Sequence, residues 1–334
     1  MLLVCNKERT IEMKKQKFNA ADFFGKFGIV IILILLCVLF TALNPAFISL
    51  NNIINILRQV AINGIIAVGM TMVLVTGGID LSVGAVAGIG TVFCGIMLVN
   101  GLPWYLALLA CLIIGFAVGA LNAFMICRLN LPPLIATLGS MTSLRGVCYL
   151  VTNGKPVFGF PEDILFMGKG TVAGIIPVPV IIMVVVFILG ILFLQKTRYG
   201  TYIYGIGGNE EASRLSGINT KKMKYLCYGV CGALSALAGV VLLARVNSAQ
   251  PKSGDGYEMD VITACVLGGV SISGGEGKLS FVTFGVLLMG VLSNGLIMVN
   301  VSDYWQQAIS GLVLIFAVAF DQMMQKMKAK QLQA

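Results

Sequence analysis

Residues 27–40 and 178–194 of this chain contain no charged side chain, and both runs are almost wholly Ile, Leu, Val, Phe and Gly. A helix needs about 20 apolar residues to cross a hydrocarbon core of about 30 Å, so runs of this kind place strong limits on the fold. They are continuously apolar and lack the alternation of membrane strands, which makes them helices rather than the staves of a barrel. Only 11% of the 334 residues are charged and the mean hydropathy is +0.95. A soluble domain carries about 25% charged residues, so this chain has too few to coat a globule in water. The class is all-α and polytopic.

Hydropathy divides the chain into about ten spans, at 27–43, 56–76, 80–99, 104–127, 132–152, 177–194, 225–245, 258–274, 279–299 and 304–321. The expected organisation is a basic N-terminal segment at 1–26, one transmembrane domain at 27–321 and a C-terminal tail at 322–334. The run after residue 26 has no small-residue cleavage site and reads as an uncleaved first span. Glycine interrupts several spans. Gly84-x-x-x-Gly88 and Gly115-x-x-x-Gly119 have the spacing that lets helix backbones approach closely in lipid. Two glycine-rich breaks echo one another: Thr76-Gly77-Gly78-Ile79-Asp80-Leu81-Ser82-Val83-Gly84, and Leu267-Gly268-Gly269-Val270-Ser271-Ile272-Ser273-Gly274. Breaks of this kind mark interrupted helices in transporters built from repeats.

The charge of +9 follows the spans rather than a nucleic-acid face. With the N-terminus inside, the loops on that side hold Lys7, Arg9, Lys14, Lys15, Lys17 and Lys26, then Arg128, then Lys196, Arg198, Arg214, Lys221, Lys222 and Lys224, then Lys278, and finally Lys326, Lys328 and Lys330. That is seventeen of the 23 basic residues. The opposite segments, 153–176 and 247–258, balance Lys155, Lys169 and Lys252 with Glu162, Asp163, Asp255 and Glu258. An even number of spans with both termini cytoplasmic accounts for this asymmetry.

Catalytic material is scarce. The chain has no histidine, which removes the commonest general base. Gly274-Gly275-Glu276-Gly277-Lys278 lacks the first glycine of a P-loop, and Leu279 replaces the magnesium-binding Ser or Thr. The nine cysteines include Cys227 and Cys231 one helical turn apart, but none forms a CxxC pair, and they read as small core hydrophobes rather than metal ligands. The notable ionisable residues inside spans are Asp80, Arg145, Arg245 and Asp260, without the paired mid-membrane acids common in ion-coupled carriers. Asp80 is placed to cap the third helix, and Arg145 either lines a pathway or satisfies backbone carbonyls.

The loop 195–224 carries a short helix of its own. Asn209 is a good N-cap, Glu210 and Glu211 suit the positive helix end, Arg214 lies four residues after Glu210, and Gly217 can close the helix. Two turns have no stability alone in water, so Ala212, Leu215 and Ile218 must pack on something. That partner is either the bundle itself or a separate protein.

At this loop the sequence resembles the ribose-type branch of bacterial ABC sugar-importer permeases, within the branched-chain amino acid/ribose permease superfamily. The matching segments are Ala67-Val68-Gly69-Met70-Thr71 with Gly78-Ile79-Asp80-Leu81-Ser82-Val83-Gly84, then Ile135-Ala136-Thr137-Leu138-Gly139 with Leu144-Arg145-Gly146. They continue with Gly207-Gly208-Asn209-Glu210 and Arg214-Leu215-Ser216-Gly217-Ile218, Ser248-Ala249-Gln250-Pro251 with Gly256-Tyr257-Glu258, and Leu267-Gly268-Gly269. The residues before Phe18 have no match.

The resemblance implies a type II importer fold in a bacterial inner membrane. It implies a second permease copy, identical or related, two cytoplasmic ATPase subunits that hold ATP and magnesium, and an external sugar-binding protein. No cofactor is then expected on this chain, whose surface meets membrane lipid and no nucleic acid. Gly208, Asn209, Glu210, Glu211, Ala212, Arg214, Leu215 and Gly217 would form the coupling helix seated on the ATPase. The sugar, ribose in the first place, would pass a neutral polar path for which Asn63, Asp80, Asn122, Thr137, Arg145 and Asn294 are candidates. The same amides and hydroxyls equally serve as glue between helices. A stand-alone secondary sugar carrier is the rival expectation.

Overall fold

The computed structural model describes residues 20–333, with side chains from 28 to 323. Residues 1–19 of the expected basic segment lie outside the described residues, as do the side chains of Lys7, Arg9, Lys14, Lys15, Lys17, Lys26, Lys326, Lys328 and Lys330. Among the described residues there are thirteen α-helices and one two-stranded hairpin. The first five are α1 (Ala20–Leu43), α2 (Leu50–Val75), α3 (Val83–Val99), α4 (Trp104–Arg128) and α5 (Pro133–Thr152). A short helix α6 (Glu162–Lys169) and the hairpin β1 (Thr171–Val172) and β2 (Ile176–Pro177) lead to α7 (Val178–Lys196). Then come α8 (Arg198–Gly208), α9 (Glu210–Leu215), α10 (Thr220–Val246), α11 (Tyr257–Leu267), α12 (Leu279–Met298) and α13 (Asp303–Gln333). α13 continues through the expected tail without a break.

Every expected span contains a helix. Seven are long and apolar enough to cross a membrane; the apolar part of α1 and all of α3 are shorter, at Gly28–Leu43 and Val83–Val99. The bundle is therefore a multi-pass membrane domain. Its centre is α2 and α10, whose most apolar windows are 67% and 72% buried, against 6% for α13. Small residues make this centre possible. Facing Gly119, the place a Cβ would take is filled by the Tyr228 carbonyl, and facing Gly232 by the Gly115 carbonyl, so α4 and α10 touch backbone to backbone. Gly115-x-x-x-Gly119 thus acts as a helix-packing pair, as its spacing predicts.

Gly84-x-x-x-Gly88 does something else, and the expected eighth span changes with it. The helix there is only α11, eleven residues or about 16 Å at 1.5 Å per residue. What precedes it is not an external loop. Ala249 pairs with Val157 through two 2.9 Å backbone hydrogen bonds and packs on Gly95. The Ser253 carbonyl then lies 3.0 Å from the Cβ position of Gly88, and the Gly254 carbonyl fills that of Gly84. From Gly95 to Gly84 is eleven residues of α3, again about 16 Å. Residues 249–256 therefore form a strap that descends beside α3 into the bundle, and strap plus α11 make one discontinuous crossing of about one hydrocarbon thickness. A Cβ on Gly84 would occupy the groove that admits it, and one on Gly88 would crowd the Ser253 carbonyl. Beyond Leu267 the chain turns on glycines at positive φ, Gly269, Gly274, Gly275 and Gly277, which ends the helix well short of the expected residue 274.

Candidate functional site

Two polar regions stand out, one at each end of the bundle. At the end that carries α9, α8 begins on a capped turn, with the Thr197 hydroxyl accepting from the Gly200 N–H at 3.3 Å. Ile203 and Ile206 bury one face of α8. Tyr199 stacks on Phe193 of α7 at 6.3 Å, an aromatic arrangement suited to a membrane–water boundary. α8 itself was not signalled in the sequence beyond that cap and the Ile203/Ile206 spacing.

One residue, Asn209, separates α8 from α9. Its N–H donates to the Gly205 carbonyl at 3.0 Å, and its side-chain oxygen accepts from the Ala212 N–H at 2.9 Å, so it closes one helix and opens the next. Gly205 has no side chain, and Ser213 Oγ stands 3.3 Å from where one would begin, so α9 folds tightly back on α8. Gly217 takes φ +84° and its N–H reaches the Arg214 carbonyl at 3.0 Å, which ends α9.

The ion pairs differ from the expected Glu210–Arg214 spacing. Arg214 bonds Glu211 at 2.6 Å, while Glu210 bonds Lys224 on α10 at 2.6 Å. On so short a helix the nearer i,i+3 acid takes the arginine, which leaves Glu210 free to tie α9 to its neighbour. The apolar stripe turns inward only at its end: Ile218 is half-buried, but Ala212 is exposed, Leu215 is 79% exposed, and Ser213 is the buried residue of α9. α9 is thus fixed to the bundle by caps and ion pairs while its apolar side chains face away.

Inward from this end, the break between α2 and α3 gathers several candidate path residues. Asp80 Oδ1 accepts from the Ser82 N–H at 2.9 Å and from the Ser82 hydroxyl at 2.6 Å. This ties the turn ahead of α3, whose cap position is Ser82 itself. Asn122 donates to Ser82 Oγ at 2.8 Å and accepts from Ser140 at 2.5 Å. Thr137 donates to the Pro133 carbonyl at 2.9 Å and lies 3.5 Å from the Ile79 carbonyl, which also accepts from Tyr228 at 3.3 Å. Asp80, Asn122 and Thr137 are all buried, and together they clamp the interrupted backbone.

The other candidates lie apart. Asn294 makes a mutual amide pair with Asn52 at 2.9 and 3.1 Å, joining α12 to α2. Arg145, with an 18% exposed side chain, donates from Nη1 to the Ser253 carbonyl at 2.6 Å and the Pro251 carbonyl at 3.0 Å. It thereby holds the strap, and Asp255 stands 4.0 Å from its Nη2. Asn63, at 9% exposure on α2, makes no hydrogen bond among the described residues. Sequence reasoning missed the strap altogether; its signal was the glycine pair on α3 together with Gly254 and Gly256, both at positive φ.

Comparison with known proteins gives these features a setting. Residues 52–318 match the family described as branched-chain amino acid transport system / permease component. The chain is 42% identical over 317 residues to the ribose import permease protein of Bacillus subtilis (strain 168), covering 94% of this chain and 98% of the relative. It is 43% identical over 314 residues to the ribose import permease protein of Escherichia coli (strain K12), covering 92% and 96%. It is also 34% identical over 314 residues to the L-arabinose transport system permease protein of that strain, covering 94% and 95%. No solved structure gives a significant match. The chain belongs to the branched-chain amino acid transport system / permease component family.

Proposed function

We propose that this chain is the membrane-spanning permease subunit of an ATP-driven importer of ribose, working as one of two permease copies in a bacterial inner membrane. An ATPase would dock from the cytoplasm on α9, and an external sugar-binding protein would deliver the sugar at the hairpin end. The names of the relatives at 42% and 43% identity support the substrate. The observation that carries the coupling role is α9 itself: a capped helix held in place from behind, with Leu215 79% exposed on the outside. An apolar residue presented this way suits a groove on a partner.

Orientation rests on charge. The α9 end has Arg128, Lys196, Arg198, Arg214, Lys221, Lys222, Lys224 and Lys278, against Glu210, Glu211 and Glu276, which favours the cytoplasm for that end and for both termini. Among the path candidates, Asp80, Asn122, Thr137, Arg145 and Asn294 already spend their polar atoms on the fold. Asn63 makes no hydrogen bond among the described residues, and we assign it first to the sugar path.

The test is reconstitution of the chain in vesicles with its cognate ATPase and sugar-binding protein. Ribose uptake should require both partners and ATP, and Leu215→Asp should lower ATPase capture by the permease at least tenfold. Uptake that persists without ATPase and binding protein would instead make this a stand-alone carrier.

A further inference from the structure

The two glycine-rich breaks that echo one another in the sequence meet in space, and the end of α8 is wedged between them. The Gly275 N–H donates to the carbonyl of Val75, the last residue of α2, at 2.9 Å. A Cβ on Gly274 would stand 2.7 Å from the Gly77 nitrogen and 3.1 Å from the Gly207 Cα. One on Gly275 would stand 2.9 Å from the Gly208 nitrogen, and one on Gly207 would fall on the Val75 carbonyl. No side chain separates these three segments, and the Tyr204 hydroxyl adds a 2.7 Å bond from α8 to the Gly277 carbonyl.

Backbone packed on backbone has no rotamers to absorb a displacement. α8 and α9 share the single residue Asn209, so a shift of α9 must reach Gly207 and Gly208, and through them the break that follows α11. α11 is an eleven-residue rod whose other end meets the strap: the Glu258 carboxylate and the Gly254 carbonyl both lie against Gly84.

We infer that the junction of Gly207 and Gly208 with Gly274 and Gly275 transmits movement of α9 through the half-helix α11 to the strap 249–256. These glycines, with Tyr204, are positioning residues for coupled transport. The inference rests on the docking role of α9 proposed above. It goes further by naming which part of the membrane domain responds, namely the discontinuous crossing rather than the bundle as a whole.

The experiment uses the full importer, permease with ATPase and binding protein, in lipid nanodiscs and vesicles. Two readouts are taken: ribose taken up per ATP hydrolysed, and hydrogen–deuterium exchange of the strap with and without a non-hydrolysable ATP analogue. In the unaltered importer, strap exchange should change with nucleotide. Gly207→Ala keeps helical geometry but adds a methyl at the Val75 carbonyl. It should cut uptake per ATP at least fivefold and abolish the nucleotide response of the strap. Tyr204→Phe adds no volume and only removes the bond to Gly277; it should reduce both readouts about twofold, and it decides the matter if Gly207→Ala does not assemble. Gly139→Ala, on α5 with open space around its Cβ position, should leave both unchanged. A nucleotide response and coupling ratio unaltered in Gly207→Ala, or in Tyr204→Phe where the former fails to assemble, would overturn the inference. Absence of ATP-dependent uptake in the unaltered importer would strike the proposed function itself, so the two failures are separable.

Discussion

Removing the Arg145 guanidinium should free the strap while leaving the bundle folded. Arg145 holds residues 249–256 by two hydrogen bonds, 2.6 Å to Ser253 and 3.0 Å to Pro251. A hydrogen bond to a charged group contributes about 1.5–3 kcal/mol, so two give about 3 kcal/mol at the low end. The Asp255 contact adds little, because it is 4.0 Å long and its carboxylate side is 54% exposed. A loss of about 3 kcal/mol is roughly a hundredfold in the population of the unseated strap. The assay is hydrogen–deuterium exchange on Arg145→Ala in nanodiscs. Backbone donors inside the strap, Ser253 to Gln250 at 3.0 Å and Asp255 to Lys252 at 3.2 Å, should exchange roughly a hundred times faster. The central part of α10 should not change. Arg145→Lys should fall between, since a compact, strongly hydrated ammonium on a flexible stem holds the two carbonyls less firmly than the fixed guanidinium nitrogen does. Equal strap protection in Arg145→Ala and the parent would refute the latch and leave the α3 glycine groove as the whole cause of the seating.

Two further predictions concern the bundle. A double-mutant cycle of Asn52→Ala and Asn294→Ala, read by thermal aggregation in detergent, should give a coupling energy of about 0.6 to 1.7 kcal/mol, the range for hydrogen bonds between membrane helices. Zero coupling would mean that the amide pair is spectator to the packing. Gly119→Val should lower thermal stability by about 1–3 kcal/mol or more, since its side chain would meet the Tyr228 carbonyl and force α4 off α10; an unshifted melting temperature would contradict the backbone contact.

How much of this was legible in the chain depended on which force set each feature. The spans were legible because a hydrocarbon slab demands a length and a composition, and both show in a linear string. α9 was legible for a different reason: caps at Asn209 and Gly217 are local chemistry, complete within nine residues. Its ion pairs were only half legible, because Lys224 reaches Glu210 from another helix. The strap was misjudged since Gln250, Lys252, Ser253 and Asp255 look like a solvated loop. Three of those side chains are indeed exposed; what seats the strap's backbone against the bundle is the absence of side chains on α3, together with an arginine about a hundred residues upstream.

That contrast also explains why the path candidates behave as they do. A polar residue in a membrane helix signals that its atoms need partners, but it does not say whether the partner is a substrate or a neighbouring backbone. Interrupted helices increase the demand for the latter, because each break leaves carbonyls and N–H groups without helical partners. Ile79, Pro251 and Ser253 are such carbonyls, and Tyr228, Thr137 and Arg145 are spent on them. Four of the six path candidates, Asp80, Asn122, Thr137 and Arg145, are therefore committed to holding the interrupted segments. Of the six path candidates, the one to suspect of touching cargo is the one that makes no hydrogen bond among the described residues, which turns attention from the charged Arg145 and Asp80 to the neutral amide of Asn63 on the unbroken α2. Asn63→Ala should then reduce ribose uptake without altering thermal stability, whereas Asn122→Ala should alter both. A stability loss in Asn63→Ala equal to that in Asn122→Ala would show that Asn63, too, serves the fold.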